Sequence, residues 1–292
     1  MNDTLIPTYF RPSAPLSKIV IRYEWIHIDG NRYNCINLLP SFGVGLVFHF
    51  WKIGTVNVRS KMLDSVAVPE CIVLSPLNVP MHGSTRGSST HLRVIFYPGM
   101  MSLLFDRVPM YAFQDHLPDA RMELDAGLSD LYDKMEEAPS CFHMVQLIDR
   151  FLLRKLRGKV KPKFILPHVF AALSKYPERT VRVGDIAAHL GLSLQHFNKL
   201  TRAQLGYSAK RTLSVIRFNN TLTTLHNKGA AGLAQTALEM GYYDQAHMSH
   251  EFKQFSGFTP ANYSKSQTER ALSGEAENFS SSGLYFDKNA RD

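Results

Sequence analysis

Cysteine is scarce: the chain has three, Cys35, Cys71 and Cys141, and no Cys-x-x-Cys pair. An odd count without such pairs excludes a disulfide framework and a zinc finger, and it favours a reduced, cytoplasmic setting. Long apolar runs are also missing. The stretch 44–50 still contains Gly45 and His49, so no membrane-spanning helix is expected. The residues Met1 to Leu5 offer neither the basic start nor the apolar stretch of a secretory signal. No nucleophile motif, Gly-rich dinucleotide fingerprint or phosphate-cradling loop is present; the Ser-rich turn His82–Gly87 lacks the Gly-Lys-[Ser/Thr] ending. No catalytic residue and no cofactor is therefore expected.

What is present is an ordinary globular mix. The chain has 292 residues, 45% hydrophobic and 20% charged, enough for about two domains. Its net charge of +8 is unevenly spread. Residues 1–149 hold 12 basic and 15 acidic groups, whereas 150–163 hold seven basic groups and no acid. Residues 164–266 carry a further excess of six positive charges, and the tail 267–292 is slightly acidic. A mildly acidic half joined through a basic hinge to a basic half fits a sensing domain coupled to an anion-binding one.

The first half reads as β structure. Ile19–Ile28, Val44–Trp51, Thr55–Val58, Cys71–Val79 and His91–Tyr97 are β-branched or aromatic runs separated by Gly, Pro, Asn and Ser clusters. Short strands with tight turns predict a small barrel or sandwich. From Asp125 the period changes: Leu128, Leu131, Tyr132 and Met135, then Met144, Leu147, Ile148, Phe151 and Leu152, predict two amphipathic helices. The expected organisation is α+β: a β-barrel sensor and dimerisation domain with its helices over 1–157, and a linker over 158–163. An all-helical domain over 164–266 and a disordered tail over 267–292 follow.

Two segments of the helical region repeat at an offset of about 51 residues. In each, an amphipathic helix ends at a glycine (Gly191, Gly241), a Ser or Asp (Ser193, Asp244) stands where it caps the next helix, and that helix ends at Gly206 or Gly257. This is helix, tight turn, helix, twice. On a helical wheel Leu194, Phe197 and Leu200 form the expected buried stripe of the first second-helix, leaving Gln195, Lys199 and Arg202 outward, flanked by His196 and Asn198. In the other, Met248, Phe252 and Phe255 are inward. Ala246, His250 and Lys253 are outward, flanked by Gln245 and Ser249. Gln reads adenine bidentately, Lys and Arg read guanine or hold phosphate, and Ala packs on a thymine methyl. These ten residues are the candidate contacts to double-stranded DNA; the plain alternative is a solvated polar face.

Ile186-Ala-x-x-Leu-Gly-x-Ser193, with Gly206 and Arg217, resembles the first helix-turn-helix of the AraC/XylS transcription regulators. Tyr242-Tyr-Asp-Gln-Ala-His-Met-Ser-His-Glu-Phe-Lys-Gln-Phe-Ser-Gly-Phe-Thr-Pro260, with Tyr263, resembles that family's C-terminal signature. The resemblance implies two subdomains bridged by a long helix, here Ser208–Asn227, and recognition helices in successive major grooves. The chain departs from the family pattern at His250 (usually Arg), Ala246 (usually Ser) and Thr201 (usually aromatic). A histidine is mostly neutral near pH 7, so the first unit is expected to carry more of the reading. Tyr9–Ser13, Leu39–Phe50 and Arg93–Gly99 are similar, more loosely, to the cupin-like sensor barrels of such regulators.

Cupin barrels often hold metal, and His27, His49, His82 and His91 are the available ligands. No His-x-His pair occurs and His49 alternates with Phe48 and Phe50, so an ordinary strand residue is the expectation. The competing class, a cupin-type enzyme or metal protein with a helical assembly domain, is therefore disfavoured. One anion pattern remains. Arg150 and Arg154 lie four apart on one helix face, with Arg157 beyond; paired guanidiniums fork onto phosphate and stack on purines. The spacing resembles the arginine motif of PilZ-type cyclic-dinucleotide receptors, though the usual downstream partner motif is absent. It makes c-di-GMP a candidate effector beside other small molecules. A homodimeric bacterial transcription regulator with no membrane contact is the sequence's reading.

Overall fold

Alternating apolar and polar positions generate ten strands among the residues that the computed structural model describes, which are 7–28, 34–42, 44–51, 55–59, 66–86, 88–105, 109–158, 182–265 and 278–280. They are β1 (Thr8–Phe10), β2 (Val20–Ile28), β3 (Asn34–Leu38), β4 (Gly45–Trp51) and β5 (Thr55–Arg59), then β6 (Val66–Ala67), β7 (Cys71–Leu74), β8 (Met81–Arg86), β9 (Ser89–Phe96) and β10 (Asn278–Ser280). One sheet runs in the order β1-β2-β9-β4-β7 and the other β10-β3-β8-β5-β6. Helices α1 (Met101–Leu104), α2 (Ala120–Glu123), α3 (Gly127–Glu136) and α4 (Cys141–Leu156) follow. Tyr23, Leu46, Phe48, Val73, Leu92, Val94 and Phe96 bury one face of the first sheet against α1, α3 and α4. Its other face turns Val47, Ile72 and Leu74 toward Leu38 and Val68, which also pack on Met81 of the second sheet.

The expected closed, cupin-like barrel is corrected here. The two sheets keep their own edge strands in the described residues, so the region is a two-sheet sandwich with helices on one outer face. Strand alternation looks the same in either architecture. Closure depends on which distant strands pair, and no local pattern encodes that. Within the segment expected to be disordered, the described strand β10 pairs in parallel with β3 through Asn278↔Ile36, Phe279↔Asn37 and Ser280↔Leu38. The expected linker 158–163, apart from Gly158, lies outside the described residues, as does the start of the second domain at 164.

The C-terminal region consists of α5 (Val183–His189), α6 (Leu194–Leu205), α7 (Ala209–Lys228), α8 (Leu233–Glu239), α9 (Gln245–Ser256) and a last turn, α10, over 260–265. Its punctuation is the one the repeat predicts. Ser193 Oγ accepts the His196 N–H at 3.2 Å and Asp244 Oδ1 accepts the His247 N–H at 2.7 Å, each satisfying an orphan donor of the helix it opens. Gly206 and Gly257 close α6 and α9 in the left-handed region, at φ +79° and +82°. The bridging helix α7 falls within one residue of its expected span.

The α6 stripe differs from the wheel. Phe197, Thr201 and Leu205 are buried, Leu200 is half-buried and Leu194 is 50% exposed. The burying positions recur at four, and Leu194, in the first turn, projects past the end of the core.

The α6–α7 junction is docked on the first domain. Tyr207 donates its hydroxyl to Leu77 O at 2.6 Å, Arg211 Nη2 donates to Asn78 O at 2.8 Å, and Gln114 Nε2 donates to Gly206 O at 3.1 Å. Asn219 Nδ2 donates to Pro40 O, and the Phe42 ring meets Tyr207 edge-on at 5.8 Å. Leu39 and Phe42 thereby belong to the same core as Phe197, Tyr207 and Phe218. Asp115, at φ +62°, braces this contact: its carboxylate accepts the Asn78 N–H at 2.6 Å and the Asn78 Nδ2 at 2.9 Å. Aspartate tolerates that conformation better than most residues, and these hydrogen bonds hold it there.

Candidate nucleic-acid interface and effector cleft

The cap geometry decides which side chains of α6 and α9 are free. With Ser193 and Asp244 turned back to the backbone, the residues after them point outward. Gln195, His196, Lys199 and Arg202 on α6 are exposed, as are Gln245, Ala246, His250 and Lys253 on α9. Ser249 is half-buried. Asn198 is otherwise engaged: it is half-buried and its Oδ1 accepts the Ala209 N–H at 3.0 Å, supporting the start of α7. This bond gives Asn198, expected beside the outward trio, a structural task as well. Sequence reasoning also passed over Tyr243. Of the Tyr242–Tyr243 pair one ring is core and the other is 87% exposed, directly before α9.

The second unit is locked to the bridging helix by charge. Arg217 of α7 forks onto Glu251 of α9, with Nη2 2.8 Å from Oε2 and Nε 3.1 Å from Oε1, and Ser214 Oγ adds a bond at 3.0 Å. The Arg217 guanidinium also covers the buried Tyr242 ring at 4.6 Å. A bidentate pair of this kind fixes the orientation of α9, and with it the exposed face two turns long. Thr201, the departure from an aromatic, is fully buried and donates to Asn198 O at 3.0 Å.

The three candidate arginines of the first domain separate. Arg150 lines a cleft of about 450 Å³ together with Arg11, Ser13, Phe142, Val145, Gln146 and Asp149. Arg154 is exposed, with its guanidinium 5.9 Å from the centre of the Phe151 ring, and Arg157 caps the end of α4; neither lines the cleft. The sequence showed Arg150 but not Arg11, which lies far away in the chain.

The four candidate histidines are not brought together. His27 shares a hydrogen bond with Thr90 on the exposed surface, and among the described residues no group of three or more His, Cys, Asp or Glu could hold a metal ion. His49 and His91, neighbours across β4 and β9, do meet: their Nδ1 atoms are 2.7 Å apart, and Ser89 Oγ lies 3.0 Å from His91 Nε2. Burial lowers both, with the Arg93 charge adding to it, and His91 falls to about 3. Because the folded state holds these rings neutral, the unfolded chain takes up protons first. Stability from this pair is complete above about pH 6.5 and is lost as pH falls from there toward 3. Each histidine protonated only on unfolding should steepen the loss by about 1.4 kcal/mol per pH unit. Urea denaturation between pH 7 and 4 measures this, and a His49→Leu/His91→Leu double variant should show a flatter profile. An unchanged slope would remove the pair from the acid response.

Two helix-turn-helix units that share one long helix and expose matching polar faces define a class of module built to lay helices in DNA grooves. Residues 186–266 match the model of a helix-turn-helix domain family. The transcriptional regulator MxiE of Shigella flexneri is 33% identical over 84 residues, covering 28% of this chain and 39% of that protein. An uncharacterized HTH-type transcriptional regulator of Haemophilus influenzae is 26% identical over 147 residues, 49% of this chain and 47% of its own length. The chain thus spans less than half the length of these curated relatives. The crystal structure of ToxT from Vibrio cholerae O395 is similar at a TM-score of 0.45 and 14% identity, over 84% of this chain and 97% of that one. Among the described residues no helix is long and apolar enough to cross a membrane.

Proposed function

We propose that the chain is a DNA-binding transcription regulator in which α6 and α9 enter major grooves of double-stranded promoter DNA, while the sandwich senses an effector and pairs two copies in the cytoplasm. The observation that carries this reading is the duplicated unit. Two capped helices, held by one bridging helix, each leave a polar face free, and the C-terminal region is basic overall. Gln195, Lys199 and Arg202 carry most of the α6 contact, with His196 beside them. Gln245, Ala246, Ser249, His250 and Lys253 form the α9 contact. The docking of Tyr207 and Arg211 on residues 76–80 gives the sandwich a rigid path to α6. For the effector, only Arg150 of the arginine set shares a cleft with other polar groups, so a site that forks a cyclic dinucleotide between Arg150 and Arg154 has no support from their positions.

Binding to a duplex selected from a random pool tests the reading. Lys199→Ala and Arg202→Ala should each cost about 1–3 kcal/mol if the residue reads a base. If the residue holds phosphate, each should lower the slope of log affinity against log salt by about one. Both variants should keep the wild-type unfolding midpoint, because neither side chain is buried. If both bound like the parent protein, the groove face would be misassigned.

A further inference from the structure

The cleft on α4 has a chemistry that neither the fold nor the DNA interface uses. Phe142, Val145, Gln146, Asp149 and Arg150 follow a three- and four-residue spacing, so they form one stripe of α4, and Arg11 and Ser13 of the N-terminal segment close the opposite wall. Asp149 is a structural pin: its Oδ1 accepts the Ser13 N–H at 3.0 Å and the buried Tyr23 hydroxyl at 2.7 Å. Those two donors hold the segment against the helix and occupy part of the carboxylate's charge. Three polar groups are left over. Ser13 Oγ is buried with no hydrogen-bond partner. Arg150 spends its Nε on Gln146 O of its own helix at 3.2 Å, which leaves its terminal nitrogens free of any acidic partner among the described residues. Arg11 is exposed and likewise has no acidic partner among them. Beside these, the Phe142 ring stands 54% exposed above buried Val145.

A buried hydroxyl without a partner is costly to leave in place, and two guanidiniums against one occupied carboxylate leave a positive excess. An exposed ring over an aliphatic floor offers a flat apolar wall next to it. The volume suits one ring system with a single charged group. From this we infer that the cleft binds a small aromatic anion, its carboxylate or phosphate held between Arg11, Arg150 and the Ser13 hydroxyl and its ring laid on Phe142. The inference rests on the reading of the first domain as an effector sensor and names the ligand class and the site for it. Such a ligand ties residues 11–13 to α4, the last described helix before the segment that leads to the DNA-binding helices.

Calorimetry on the full chain tests it with four probes: 2-naphthoate, 2-naphthyl phosphate, neutral 2-naphthylmethanol and inorganic phosphate. The expected result is saturable binding of one or both naphthyl anions, the carboxylate and phosphate arms identifying the preferred head group. The alcohol and inorganic phosphate should each bind about tenfold more weakly or worse, since each lacks half of the recognised chemistry. Arg11→Ala, Arg150→Ala and Phe142→Ala should each weaken the preferred anion by about tenfold, roughly 1.4 kcal/mol, with Arg154→Ala unchanged. No saturation by either anion at millimolar concentration, equal binding of the alcohol, or indifference to Arg11→Ala and Arg150→Ala would each overturn the site. Duplex binding is measured on the same preparations without ligand. Intact duplex binding with no anion binding removes the cleft alone, whereas anion binding without duplex binding removes the regulator reading alone.

Discussion

Phe252→Ala is expected to cost about 3–5 kcal/mol of unfolding free energy, the range for removing a fully buried aromatic. Phe252 is 0% exposed, its ring 5.2 Å from Phe218 on the bridging helix and 5.5 Å from Tyr263 on α10. Phe218 in turn stacks on Phe255 at 4.9 Å, so four rings from three helices form the centre of the second unit. An alanine leaves a void among rings that cannot close in without moving α9. Urea denaturation with an unchanged slope should show the loss as a lower midpoint. Leu194→Ala is the matched contrast. A side chain at half exposure in the first turn of α6 should change stability by no more than about 0.5 kcal/mol. A loss under about 1 kcal/mol for Phe252→Ala would mean that these four rings do not form a packed centre.

How much of this was legible beforehand depends on the range of the interaction. Caps and terminal glycines are read within four residues, so Ser193, Asp244, Gly206 and Gly257 announced both units. The outward trios also followed from spacing alone. The Asn198–Ala209 bond was not legible, because its partner lies eleven residues on and across a turn. Leu194 failed because a wheel has no ends, whereas a core does. The sandwich failed as a barrel because sheet closure is a matter of long-range pairing. Arg150 was visible as half of a basic pair with Arg154, yet its cleft partners Arg11 and Ser13 come from the far end of the domain. The His49–His91 contact needed the β4–β9 register, in which a one-residue slip would place them on opposite faces.

Another long-range feature is the seat of the first unit on the sandwich, and Gly206 and Gly257 offer a paired measurement of it. Both end the second helix of a unit at nearly the same positive φ, so valine at either should suffer the left-handed penalty of about 1–2 kcal/mol. Their surroundings differ. A Cβ on Gly206 would overlap Pro76 Cγ, lie 2.9 Å from Pro76 Cβ and 3.3 Å from Met110 O, whereas on Gly257 the nearest atom would be Pro80 Cγ at 3.9 Å. Gly206→Val should therefore cost about 1–3 kcal/mol more than Gly257→Val, from overpacking against the first domain. The excess should appear as faster amide exchange at Asn78, whose N–H donates to Asp115 beside the junction, once the neighbouring Tyr207–Leu77 and Arg211–Asn78 bonds are lost. Exchange in α9 should stay at its wild-type rate. Equal costs for the two variants would mean that the α6–α7 junction does not rest on Pro76 in solution. An excess confined to Gly206→Val would mean that α6, with Gln195, Lys199 and Arg202 on its free face, is positioned by the sandwich and follows any shift in residues 76–80.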